Sequence, residues 1–170
     1  MTTPATRIRV VLADDHALFR QGLATMLGLQ PDVEVAAEVA SAEELEAVVA
    51  AVEPDVLLLD VQLERNGLPD VAALAARVRI VIVTANETPE DALAALRLGV
   101  RAVVFKRFAI ETLMDAIRAV LAGHVWMPPE LQAAVTADWR TPAGRLTERE
   151  SWRAKSRMNR RPPIPPSRGR

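Results

Sequence analysis

Apolar and polar positions along this chain follow two rhythms, and each rhythm predicts an element. Pro54-Asp55-Val56-Leu57-Leu58-Leu59-Asp60 holds four consecutive large aliphatics, bounded by polar residues and ending on a carboxylate. Large aliphatics without polar alternation read as a strand buried on both faces, the kind found in parallel sheets. Similar short runs occur at Ile8–Ala13, Val33–Ala36, Ile80–Val83 and Ala102–Phe105. Between them the apolar positions fall at helical spacing. Leu18, Phe19, Gly22, Leu23, Met26 and Leu27 predict an amphipathic helix over Ala17–Leu29, which Pro31-Asp32 ends. Ser41 followed by Glu44 forms a capping-box pattern that opens an alanine-rich helix to about Val52. A third helix is predicted over Gly67–Arg77. A fourth runs over Pro89–Leu98, with proline in its first turn and Gly99 at its end, and a fifth over Ile110–Leu121.

Strands and helices that alternate strictly imply an α/β fold, a doubly wound five-stranded parallel sheet with right-handed crossovers. The pattern places this domain at residues 7–123. No repeat or low-complexity segment interrupts it before residue 140.

Composition adds limits. The chain has 170 residues, half of them apolar, which is enough for one sizeable core. No apolar run approaches the roughly 20 residues that span a bilayer. Met1–Thr6 lacks the basic flank and apolar core of an export signal, so a cytoplasmic protein is expected. The chain has no cysteine, which excludes thiol chemistry, disulfides and thiolate metal sites. The net charge of −1 conceals an asymmetry: residues 139–170 hold ten Arg/Lys and two Glu, leaving eleven basic and twenty acidic side chains in residues 1–138.

In a doubly wound sheet all strand carboxyl ends lie on one edge, where such folds place their ligands. Those ends carry Asp14 and Asp15, Asp60, Thr84 and Lys106. Each has a plain structural role open to it: a helix cap, a turn, a strand-end β-branched residue, a solvated charge. Their arrival at successive strand ends argues for joint use. Three close carboxylates repel, and a hard divalent cation such as Mg2+ offsets that cost. A lysine and a hydroxyl opposite them can hold a phosphoryl oxygen. The chemistry this set suits is phosphoryl transfer onto a carboxylate.

The stretch Ala13-Asp14-Asp15-His16-Ala17-Leu18-Phe19-Arg20-Gln21-Gly22-Leu23 closely resembles the opening of bacterial response-regulator receiver domains of the NarL/FixJ, or LuxR-type, subfamily. Leu57–Asp60, Val83-Thr84-Ala85 and Val103–Lys106 fall where that family has its phosphoacceptor, switch hydroxyl and lysine. The resemblance covers residues 7 to about 130 and implies a set of roles. Asp60 would accept phosphate from a sensor histidine kinase. Asp14, Asp15, Asp60 and the main-chain carbonyl of Gln62 would hold Mg2+. Thr84 would follow the phosphoryl group and Lys106 would bind it. Homodimerisation through the fourth helix and fifth strand is implied for many relatives, as is DNA binding by a separate output domain. Three positions depart from the pattern. Glu64 replaces a usual proline, Gly67 comes one residue early, and Val103 stands in place of the usual switch aromatic. His16 reads as a helix-start residue and His124 as a packed connector. Phe19 and Phe108 read as core.

The end of the chain follows another logic. Residues 124–145 read as a linker containing a short helix. Leu146-Thr147-Glu148-Arg149-Glu150 then resembles the first phrase of a LuxR-type helix-turn-helix domain, with Thr147 and Glu150 as a second capping-box pattern. The residues beyond Glu150 include few apolar anchors and four prolines, which forbid a recognition helix. Residues 146–170 are therefore expected to be a basic tail, with the DNA-binding domain truncated or shifted out of frame. The rival is a selected tail that binds nucleic acid through phosphates. Functionally the chain reads as a phosphorelay regulator of transcription. A docking module or phosphate sink is the alternative, and a Mg2+-dependent phosphatase a weaker one, since Gln62 stands where such enzymes carry a second acid. Beyond phosphoryl transfer onto its own aspartate and slow loss of that group, no enzymatic activity is expected.

Overall fold

In the computed structural model, which describes residues 7–64, 71–85 and 88–132, the expected alternation is realised. Five strands, β1 (Ile8–Ala13), β2 (Val33–Val39), β3 (Val56–Leu59), β4 (Arg79–Thr84) and β5 (Ala102–Phe105), form one sheet. Every pairing is parallel, and the order is β2-β1-β3-β4-β5. Among the described residues four helices connect them, α1 (Ala17–Gly28), α2 (Ala42–Val52), α3 (Val71–Ala75) and α4 (Pro89–Arg97), and a fifth, α5 (Ile110–Leu121), follows β5. A one-turn 3-10 helix, Val61–Glu64, follows β3.

Strands β3 and β5 are wholly apolar because both faces of the sheet are covered there, whereas edge strand β2 carries Glu34 and Glu38. Along β3, Leu57 and Leu59 point into a cluster with Leu45 and Val49 of α2, Leu74 of α3 and Ala92 of α4. Their neighbours Val56 and Leu58 point the other way, into a cluster with Leu27 of α1 and Leu113 and Ile117 of α5. The same alternation repeats in β4, with Ile80 and Ile82 on one side and Val81 and Val83 on the other. Burying one such Leu, Ile or Val contributes about 1.5–3 kcal/mol. Two continuous layers of these contacts hold the strand ends in a fixed plane.

Several local details differ from the sequence expectation. Ser41 occupies the N-cap of α2 in an extended conformation, yet its side chain makes no capping hydrogen bond. Glu43 and Glu44 still place negative charge in the first turn, where the helix dipole favours it. Within the described residues the third helix spans only Val71–Ala75; the predicted Gly67 start lies outside them. The stretch from residue 124, read as a connector, returns to the sheet edge. Trp126 N–H donates to the Arg101 carbonyl at 2.9 Å, and Val103 N–H to the Trp126 carbonyl at 3.2 Å. Leu131 is 2% exposed and joins the α2–α3–α4 cluster. The edge strand β5 would otherwise expose unpaired backbone groups, and this return satisfies some of them. His124 is exposed rather than packed. Residues 133–170, including the Thr147–Glu150 pattern and the basic tail, lie outside the described residues.

Gly99 closes α4 with φ +97°, and a Cβ there would stand 3.1 Å from the Ala75 Cβ. Both facts call for glycine. Gly99→Ala should therefore lower unfolding free energy by about 1–2 kcal/mol in urea titration. An unchanged midpoint would show that this turn relaxes freely.

Candidate phosphoryl-transfer site

The strand order reverses between β1 and β3, and in open α/β sheets the crevice at that point is the ligand site. Asp14 and Asp15 follow β1, and Asp60 follows β3. Backbone bonds fix these ends to each other. Asp60 N–H donates to the Ala13 carbonyl at 2.8 Å, and Asp14 N–H to the Val39 carbonyl at 3.1 Å. On the far side Lys106 N–H donates to the Thr84 carbonyl at 2.8 Å, so the lysine leaves β5 directly beside the end of β4.

The Lys106 side chain then reaches back across the edge. Its Nζ lies 2.8 Å from Asp60 Oδ2 and 2.7 Å from Asp14 Oδ2. The Asp60 side chain is 0% exposed, that of Asp14 7% and that of Lys106 14%. Two carboxylates so far from water require a positive partner, and one ammonium serves both. Asp15 faces the other way, towards His16. The imidazole Nδ1 lies 2.8 Å from Asp15 Oδ1, 3.2 Å from Asp14 Oδ1 and 3.6 Å from Asp60 Oδ2. His16 is also the N-cap residue of α1, as read from sequence, and its own N–H donates to Asp14 Oδ1 at 2.7 Å.

Two α1 residues brace the cluster. Arg20 donates to the Asp14 main-chain carbonyl and pairs with Glu38 of β2 at 3.4 Å. The Phe19 ring, read from sequence as core, packs partly against the α1–α5 cluster but also lies under Lys106. Its centroid is 4.5 Å from Nζ. The spacing of Phe19 from the acidic pair was visible in the sequence, but not its pairing with a residue on β5. Thr84 is 4% exposed at the end of β4, the strand beside β3. Gln62 contributes its main chain to the turn that follows Asp60. Val103 is 1% exposed in the α2–α3–α4 cluster, a small buried side chain where the resembled family has a ring.

The donor set suits a hard cation. Oxygens of Asp14, Asp15 and Asp60, with His16 nitrogen beside them, all lie within 4.8 Å of one another. Three carboxylates against one ammonium leave two negative charges, which a divalent ion would neutralise. Oxygen ligands of this kind are those Mg2+ takes.

Known proteins resemble this chain in sequence and in fold. Residues 10–118 match the family model for the response regulator receiver domain. The chain is 34% identical over 122 residues to the transcriptional regulatory protein YxjL of Bacillus subtilis, covering 69% of this chain and 56% of that one. It is 30% identical over 144 residues to the transcriptional regulatory protein UhpA of Salmonella typhimurium, covering 84% and 72%. This chain thus spans between about half and three quarters of the length of these relatives. A solved LuxR-family two-component response regulator from Aurantimonas superposes with a TM-score of 0.70 at 27% identity, covering 80% of this chain and all of that one. Relatives that are transcriptional regulators do not favour the reading as a docking module or phosphate sink. Among the described residues no helix is long and apolar enough to cross a membrane. The chain belongs to the response regulator receiver family, and residues 10–118 are the receiver domain of a LuxR-type two-component response regulator.

Proposed function

We propose that Asp60 is the phosphoacceptor of this receiver, and that a sensor histidine kinase supplies the phosphoryl group. The observation that carries the reading is a fully buried carboxylate held by an ammonium at the switch point of the sheet. An Asp60 oxygen forms the new P–O bond while the donor's P–N bond breaks, and the kinase histidine leaves. Lys106 stays charged and exchanges one carboxylate contact for a phosphoryl oxygen. The Thr84 hydroxyl, at the end of the neighbouring strand, follows the same group. Asp14, Asp15, Asp60 and the Gln62 carbonyl would hold Mg2+, which when bound supplies positive charge to the transferring oxygens. Slow loss of the phosphoryl group to water returns the receiver to rest, with no other reaction required of it.

The readout proposed is regulation of transcription through DNA in the cytoplasm. A second copy would meet the α4–β5 face through side chains of α4, because Trp126 bonds the backbone of Arg101, just before β5, and of Val103 within it. Val103 leaves no ring to turn at that position, so the signal passes through displacement of Thr84 and α4 alone.

Incubation with acetyl phosphate and Mg2+ should add one phosphoryl group per chain, seen by intact mass. Asp60→Asn should take none, and chelation of the divalent ion should reduce labelling of the unmodified chain at least tenfold. Labelling that survives Asp60→Asn would place the acceptor elsewhere.

A further inference from the structure

The Phe19 ring is a wall between two environments. On one side lies a cavity of about 270 Å3 between α1 and α5, bordered by Leu23, Val104, Phe108, Leu113 and the stem of Lys106. On the other lies a gap of only about 10 Å3, bordered mainly by Leu12, Leu23, Leu58 and Val83 and reaching Asp14 and Asp60. The Lys106 ammonium stands at the boundary, over the ring face.

A lysine ammonium is a point charge on a flexible four-carbon stem with three N–H donors. Here two of its contacts are spent on Asp14 and Asp60. A further carboxylate or carbonyl would compete with the phosphoryl oxygen that must displace one of them. An aliphatic neighbour would leave the cation against a surface that offers it nothing. A ring face attracts the charge through its quadrupole yet presents no acceptor to be displaced. It therefore restrains Nζ while leaving its hydrogen bonds free to exchange.

We infer that Phe19 is a positioning residue for phosphoryl transfer, holding Lys106 over Asp60. The inference rests on Asp60 being the acceptor. A P–O bond forms at Asp60, the donor's bond to phosphorus breaks, and Lys106 remains protonated throughout.

The test compares the full chain with Phe19→Leu and Phe19→Tyr at saturating Mg2+. Two quantities are read: the initial rate of labelling by acetyl phosphate, and the proton shifts of the Lys106 ε-methylene. In the unmodified chain the ring current should displace those protons upfield. Phe19→Leu should abolish the displacement and slow labelling about three- to tenfold, whereas Phe19→Tyr should preserve both. Equal labelling by the Leu variant, or equal slowing by Leu and Tyr, would overturn the inference while leaving Asp60 as acceptor. An unmodified chain that takes no label would overturn the Asp60 reading and this inference with it. Should the Leu variant not fold, normal ε-methylene shifts in the unmodified chain would overturn the proposal unaided.

Discussion

A single ammonium group shared by two buried carboxylates constrains the carboxyl edge of this sheet. Lys106 leaves β5, Asp60 leaves β3 and Asp14 leaves β1, so the contact ties together strands at positions five, three and two of the sheet order. Coulomb attraction in such a protected place is strong, and so is the cost of removing any one member. The rest of the architecture serves to make this contact possible. Parallel pairing brings every strand end to one edge, and the two apolar layers fix the plane in which they lie. The contact is also incomplete in charge, because Asp15 adds a third carboxylate that faces His16 instead of lysine. The acidic cluster is thus compatible with further positive charge.

That balance explains why a receiver can be both stable and reactive. The resting ammonium compensates Asp60, and in the transfer proposed above the same ammonium would compensate the new oxygens. No side chain must be created or discharged. In the proposed transfer only partners would change, and the α1 residues Phe19 and Arg20 lie against Lys106 and the Asp14 main chain.

Much of this was legible from the chain alone. The strands announced themselves because burial on both faces demands unbroken runs such as Val56–Leu59. Once strand and helix alternate, the topology alone sends Asp14, Asp15, Asp60, Thr84 and Lys106 to one edge. The sequence did not show partnership within that edge. Nothing in the spacing of Lys106 says that it serves Asp14 as well as Asp60, or that Asp15 turns to His16. Phe19 has the period of a core residue, and a ring that is core on one face can meet a cation on the other. The return of Trp126 and Leu131 was equally hidden, because a single bridge and one helical turn carry no periodicity. The Ser41–Glu44 pattern marked the correct helix start while its capping bond does not form.

Energetic coupling between Lys106 and Asp60 is the quantity on which the site most directly depends. Urea unfolding of the unmodified chain, Lys106→Ala, Asp60→Asn and the double variant, all in the presence of a chelator, measures it. Lys106→Ala leaves two buried carboxylates uncompensated and should cost about 2–4 kcal/mol. Adding Asp60→Asn to it should recover more than half of that loss. Additive effects, or a Lys106→Ala variant within about 0.5 kcal/mol of the unmodified chain, would contradict the central role given to this ion pair.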